Sequence, residues 1–61
     1  MIVTIDHPNW LQDDLIEGEK HEVTFQLERE FCDPTISDFL ANAEVEDSMS
    51  MGNYTIEVFE L

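Results

Sequence analysis

The clearest pattern of apolar and polar positions lies at residues 33–43. Asp33 reads as an N-cap and Pro34 as the first helical residue, where its missing N–H costs nothing. Ile36, Phe39, Leu40 and Ala43 then recur at i, i+3, i+4 and i+7, which places them on one face of a helix. Residues 1–5 read as a strand instead, with Met1, Val3 and Ile5 on one face and Ile2 on the other. Apolar residues on both faces suit a central strand better than an edge.

Two stretches between them are shorter or less distinct. Leu11 and Leu15 lie one helical turn apart, Trp10 and Ile16 widen that stripe, Pro8 suits a first turn, and Gly18 is a plausible stop. A short helix near 8–17 is therefore expected. At residues 21–30, Val23, Phe25 and Leu27 alternate with Glu22, Thr24, Gln26 and Glu28, which predicts a strand with one wet face. Gly52-Asn53 predicts a tight hairpin turn that pairs Met51 with Tyr54, Met49 with Ile56, Asp47 with Val58 and Val45 with Glu60. Glu46-Asp47-Ser48 is poor strand material, so residues 44–51 read as strand or loop.

The expected order is strand, helix, strand, helix, strand, strand, in one domain spanning 1–61. The fold class is α+β: a mostly antiparallel three- or four-stranded sheet, with the main helix (33–43) packed on one face and the short helix near 8–17.

Length limits how well such a fold is stabilised, because a 61-residue chain buries only about 60% of its unfolded surface. Domains this small usually gain stability from a disulfide, a metal or a second subunit. Cys32 is the sole cysteine, which forbids an internal disulfide and suits a reducing cytoplasm, while a disulfide between two chains stays open. Asp6 interrupts the apolar start and no basic segment precedes it, so neither a signal peptide nor a membrane span is expected.

Charge changes the picture most. Fifteen Asp and Glu against two Lys and Arg give a formal net charge of -13. Nucleic acids and anionic membranes should repel such a chain and basic proteins should attract it. Disorder is not the expected consequence, because 43% of the residues are hydrophobic and six are aromatic, far above the content of a solvated tail.

Candidate chemistry is sparse. His7, His21, Cys32 and the carboxylates show no metal-ligand spacing, and Asp13-Asp14 with Glu17 reads as a solvated helix face rather than a cation site. Cys32 or Ser48 with His7 or His21 has no spacing that supports nucleophilic catalysis, so neither an enzyme nor a cofactor is expected. Asp47-Ser48-Met49 resembles the phosphopantetheine-attachment signature of acyl carrier proteins. That family continues from the serine into helices, whereas here Gly52-Asn53 and the β-branched run 54–58 follow. Ser48 therefore reads as a hairpin or loop serine.

The surplus of acids leads to a partner. Thirteen charges correspond to roughly 22 Å of duplex DNA, at about 1.7 Å of axis per charge. A compact chain of this length has a radius of gyration near ~10 Å, so its charge per length is comparable to that of DNA. In size, charge and α+β pattern the chain resembles the small acidic, often phage-encoded inhibitors that mimic nucleic acid, among them inhibitors of uracil-DNA glycosylase, restriction enzymes and CRISPR nucleases. The resemblance implies blockade of a basic nucleic-acid-binding enzyme in the cytoplasm, the host's if the chain is phage-encoded. Those proteins share no motif from which site residues could be transferred.

The candidate contacts therefore come from the predicted exposed faces. They are Glu22, Glu28 and Glu30 on the second strand, Asp13, Asp14 and Glu17 on the first helix, and Glu44, Glu46 and Asp47 before the hairpin turn. Phe59, expected opposite the helix-covered face, is a candidate apolar anchor for a partner or for a homodimer. The alternatives are a halophilic-type protein or an accessory or antitoxin protein that docks a basic partner without mimicry. Nine Glu to six Asp, with two Ala and two Gly, is not the usual halophilic bias toward Asp and small residues.

Overall fold

The computed structural model describes residues 1–61 and contains four strands and two helices. In chain order these are β1 (Ile2–Asp6), β2 (Asp14–Glu17), α1 (Lys20–Phe31), α2 (Thr35–Asn42), β3 (Ser48–Met51) and β4 (Tyr54–Glu60). The strands form one sheet in the order β2-β1-β4-β3, antiparallel at every pairing. Both helices cover one face. The α+β class and the sheet-plus-helix packing agree with the sequence reading.

The core is the residue set facing that helical layer. Val3 and Ile5 of β1 and Ile56 and Val58 of β4 are buried against Val23 and Leu27 of α1 and Ile36, Leu40 and Ala43 of the α2 segment. The radius of gyration is 10.5 Å and the body measures 28 × 22 × 17 Å. β1 is central, paired on both sides, as its two apolar faces suggest.

α2 forms where the sequence placed it, although it runs Thr35–Asn42 with Pro34 rather than Asp33 at the capping position. The Asp33 carboxylate accepts from the Thr35 N–H at 2.9 Å and from the Thr35 Oγ1 at 2.7 Å, and Pro34 already has helical dihedrals. These bonds satisfy a donor that the first helical turn would otherwise leave unpaired. The hairpin register also agrees, with Met51 opposite Tyr54 and Met49 opposite Ile56.

Three expectations are corrected. Residues 20–31 are a helix and not a strand. Their pattern carries both periods, but the buried positions are Val23 and Leu27, spaced i and i+4, while Phe25 projects outward. Glu22, Gln26, Glu28, Arg29 and Glu30 are strong helix formers, and that preference prevails. The helix ends at Cys32, whose φ of 53° is left-handed and whose N–H bonds the Glu28 carbonyl at 2.8 Å.

The expected helix near 8–17 is instead a turn followed by an edge strand. The Trp10 N–H returns to the His7 carbonyl at 2.9 Å, and β2 pairs with β1 from Ile5–Asp14 to Ile2–Glu17. The Gly18 N–H then bonds the Met1 carbonyl at 3.1 Å, extending the ladder. Leu11 is fully exposed, so the apolar stripe inferred for this segment does not exist.

Residues 44–47 form a turn, so Val45 does not pair with Glu60. The Asp47 N–H bonds the Glu44 carbonyl at 3.1 Å and the Glu46 N–H bonds the Val58 carbonyl at 2.8 Å. Glu46 takes a φ of 78°, a position that turns usually give to Gly or Asn.

Candidate interaction surface

With the helices on one side, strand parity assigns alternate residues to the opposite, open side of the sheet. Reading across the strands, Leu15 lies beside Thr4, Thr4 beside Glu57, and Glu57 beside Ser48. A second row joins Glu17, Ile2 and Glu60, and a third joins Asp6, Thr55 and Ser50. The β1–β4 register shifts between Ile2 and Val3, leaving Phe59 as an extra residue on β4.

This face combines carboxylates with exposed apolar side chains. Leu15 is 60% exposed and Phe59 and Leu61 are each 61% exposed. The side chain of Asp6, close enough to share a proton with Asp13, is the main reason the Asp13 carboxyl is held above its ordinary value. Desolvation and the negative charges of Asp6 and Glu57 push in the same direction. Asp6, Asp13 and Glu57 thus form one electrostatic group at the end of the sheet nearest the β1–β2 turn.

The predicted contact residues divide among three regions. Glu17, Asp13 and Phe59 belong to the open face or its end. Asp14 pairs with Ile5 and so has the opposite parity, at the exposed start of β2. Glu22 and Glu30 lie on the outward side of α1 and Glu28 is half-buried there, so all three occupy the other layer of the molecule. Glu44, Glu46 and Asp47 occupy the turn between α2 and β3. The Asp47 carboxylate is engaged there, accepting the Glu44 N–H at 2.9 Å.

Three acids of the open face, Asp6, Glu57 and Glu60, were not among the predicted contacts. The signal for Glu57 was present in the hairpin register, because pairing Met49 with Ile56 forces residue 57 to the other side. The two bases lie elsewhere. Lys20 Nζ donates to the Ala41 carbonyl at 3.4 Å, and the Arg29 guanidinium sits 5.6 Å from the centre of the Phe25 ring.

An aromatic group closes one end of the sheet. His7, Trp10 and Tyr54 form a triangle of tilted and edge-on rings, with centroid distances of 5.3 Å for His7–Trp10, 4.7 Å for His7–Tyr54 and 5.6 Å for Trp10–Tyr54, and Phe31 meets Tyr54 at 5.0 Å. His7 Nδ1 accepts the Asn9 N–H at 3.1 Å. Rings this close fill one another's faces and leave no open cage for a cation.

No cluster of three or more His, Cys, Asp or Glu side chains has the geometry to hold a metal ion. Glu17 stands at the far end of β2 from Asp13, so the Asp13-Asp14-Glu17 group is dispersed. The one hollow of the surface is open and lined by α1 alone, through Glu22, Phe25, Gln26, Arg29 and Glu30. Ser48 begins β3 and no helix follows it, unlike the serine of an acyl carrier protein. No helix is long and apolar enough to cross a membrane.

The geometry defines a two-layer α+β domain with one covered and one open sheet face. Comparison with known proteins finds no matching family model, no matching curated protein and no matching solved structure.

Proposed function

We propose that the chain binds a basic nucleic-acid-binding protein or nuclease and blocks its nucleic-acid site by presenting an acidic, nucleic-acid-like surface. The observation that carries this reading is the disposition of charge. No charged residue is buried, and the two bases are spent on the Ala41 carbonyl and the Phe25 ring. The net charge of -13 is therefore turned to solvent over a body 28 Å long. That density is close to duplex DNA, for which the same charge spans roughly 22 Å.

Binding would gain from release of the counterions held by both surfaces, and the blockade needs no bond making or breaking. The cytoplasm, of a host cell if the chain is phage-encoded, is where such a target resides. The test is capture of a partner from a candidate host lysate followed by competition with DNA or RNA. Nucleic acid is expected to displace the chain in a salt-dependent manner. A partner that keeps its full nucleic-acid affinity while the chain is bound rules the reading out.

A further inference from the structure

The open face of the sheet is a surface whose covering the fold does not supply. Leu15 on β2 and Phe59 on β4 stand 60% and 61% exposed, with half-buried Ile2 between them on β1. Solvent-facing sheet surfaces normally alternate to polar residues, so an aliphatic and an aromatic side chain among the carboxylates give this face an apolar component beside its charge.

Charge selects what covers it. Asp6, Asp13, Glu17, Glu57 and Glu60 surround the apolar residues, and both bases of the chain lie on α1 in the other layer. A second copy would bring two such carboxylate sets together with only the Met1 ammonium, already donating to the Gly18 carbonyl at 2.9 Å, to offset them. Nucleic acid would add phosphates to them. A wholly apolar partner would remove the carboxylates from water without compensation. A partner with Lys or Arg around an aliphatic strip matches both parts of the surface.

We propose that this open sheet face is the docking site, and that its occupant is a basic protein surface on which Lys or Arg side chains flank an apolar strip. The inference rests on the basic-partner reading above and assigns it a face and a second chemistry, because a pure phosphate mimic has no need of Leu15 or Phe59. Four strands ~4.8 Å apart and four to seven residues long give a face of roughly 300 Å², less than half the ~800 Å² per partner of a standard interface. With so little area, the carboxylates govern the encounter rate and the apolar pair governs the lifetime of the complex.

Two short capped peptides with equal numbers of lysines, one alternating Lys with Leu and one alternating Lys with Ser, test this by amide chemical-shift titration of the intact chain. The Lys-Leu peptide is expected to bind about ten-fold tighter, the equivalent of one buried aliphatic side chain. Its shifts should concentrate on β1, β2 and β4. Phe59→Ala, or Leu15→Ser should the first variant lose its dispersed spectrum, should reduce that binding to the level of the Lys-Ser peptide and leave the latter unchanged. Equal binding of the two peptides, or shifts concentrated on α1 around Phe25, overturns the face while leaving the basic-partner reading intact. Shifts of the open face that depend on protein concentration without peptide identify a second copy as occupant and also overturn it. Failure of both peptides to bind at low salt overturns the face and the basic-partner reading together.

Discussion

The same two central strands make a buried face and an open one, and the two faces differ by a single step in parity. Val3, Ile5, Ile56 and Val58 are closed off by α1 and α2, while Ile2, Thr4, Glu57 and Phe59 on the same strands face outward. The buried set is entirely aliphatic. The outer set mixes acids, hydroxyls and isolated large apolar groups, a composition that contributes little to folding. Stability and recognition therefore occupy alternate residues of one sheet, and each can be altered with little effect on the other.

The most severe test of this division is truncation of the covered face. Ile56→Ala should cost about 2–5 kcal/mol, the range for a fully buried aliphatic residue. A domain of this size has only ~3–9 kcal/mol in total. Urea titration followed by circular dichroism should show a midpoint far below that of the parent chain, with the slope unchanged. A loss under ~1 kcal/mol would mean that the helical layer does not depend on β4 for its packing.

Acidic pH sharpens the contrast, because one carboxyl of each layer responds in the opposite direction. Asp33 is held below its ordinary value, first by the Thr35 hydroxyl and then by the Thr35 N–H. Its contribution is present above the unfolded value near 3.8 and is lost as pH falls through the lower folded value. Asp13 is held above 3.8, so the fold takes up a proton there before the unfolded chain does. Its unfavourable contribution at neutral pH is relieved as pH falls toward 3.8. Asp13→Asn should accordingly raise the melting temperature at neutral pH and flatten the rise on mild acidification. An unchanged pH profile would show that Asp6, Asp13 and Glu57 do not act as one group.

How much of this was legible depends on whether one period dominated. Residues 33–43 carry a cap, a proline and an i, i+3, i+4, i+7 stripe with no competing alternation, and α2 formed accordingly. Residues 21–30 satisfy both periods because Phe25 falls between Val23 and Leu27. The false strand came from one exposed aromatic, which in the helix sits against Arg29 a turn later. In 8–17 the leucines imitated a stripe, whereas Asp14–Glu17 was determined by pairing with β1, a long-range contact that local spacing does not carry. The acids of the open face followed the same division. Glu57 could be read from the hairpin register, but Asp6 next to Asp13 required knowing that β2 exists.

The turn between the layers offers a smaller effect. Glu46 holds a φ of 78° while its N–H bonds Val58 on β4. Relief of a left-handed non-glycine residue is worth about 1–2 kcal/mol, against ~0.4–1 kcal/mol of added unfolded-state entropy for glycine. Glu46→Gly should thus stabilise by roughly 0.5 kcal/mol in chemical denaturation. Destabilisation would mean that the glutamate side chain supports the turn in its own right.

Truncation on the outer side carries the most information about the open face. Phe59→Ala removes a large apolar group, and if burial alone set its worth the loss would approach that of a core residue. At 61% exposure only about two-fifths of its surface leaves water on folding, so the expected cost is about 1 kcal/mol, well below that of Ile56→Ala. The same holds for Leu15→Ser. Measured by urea midpoint beside Ile56→Ala, the pair asks whether parity alone separates the two roles. A cost above ~1.5 kcal/mol for either variant would show that the chain itself covers that residue in solution, and the outer face would then belong to the folding core rather than to a partner.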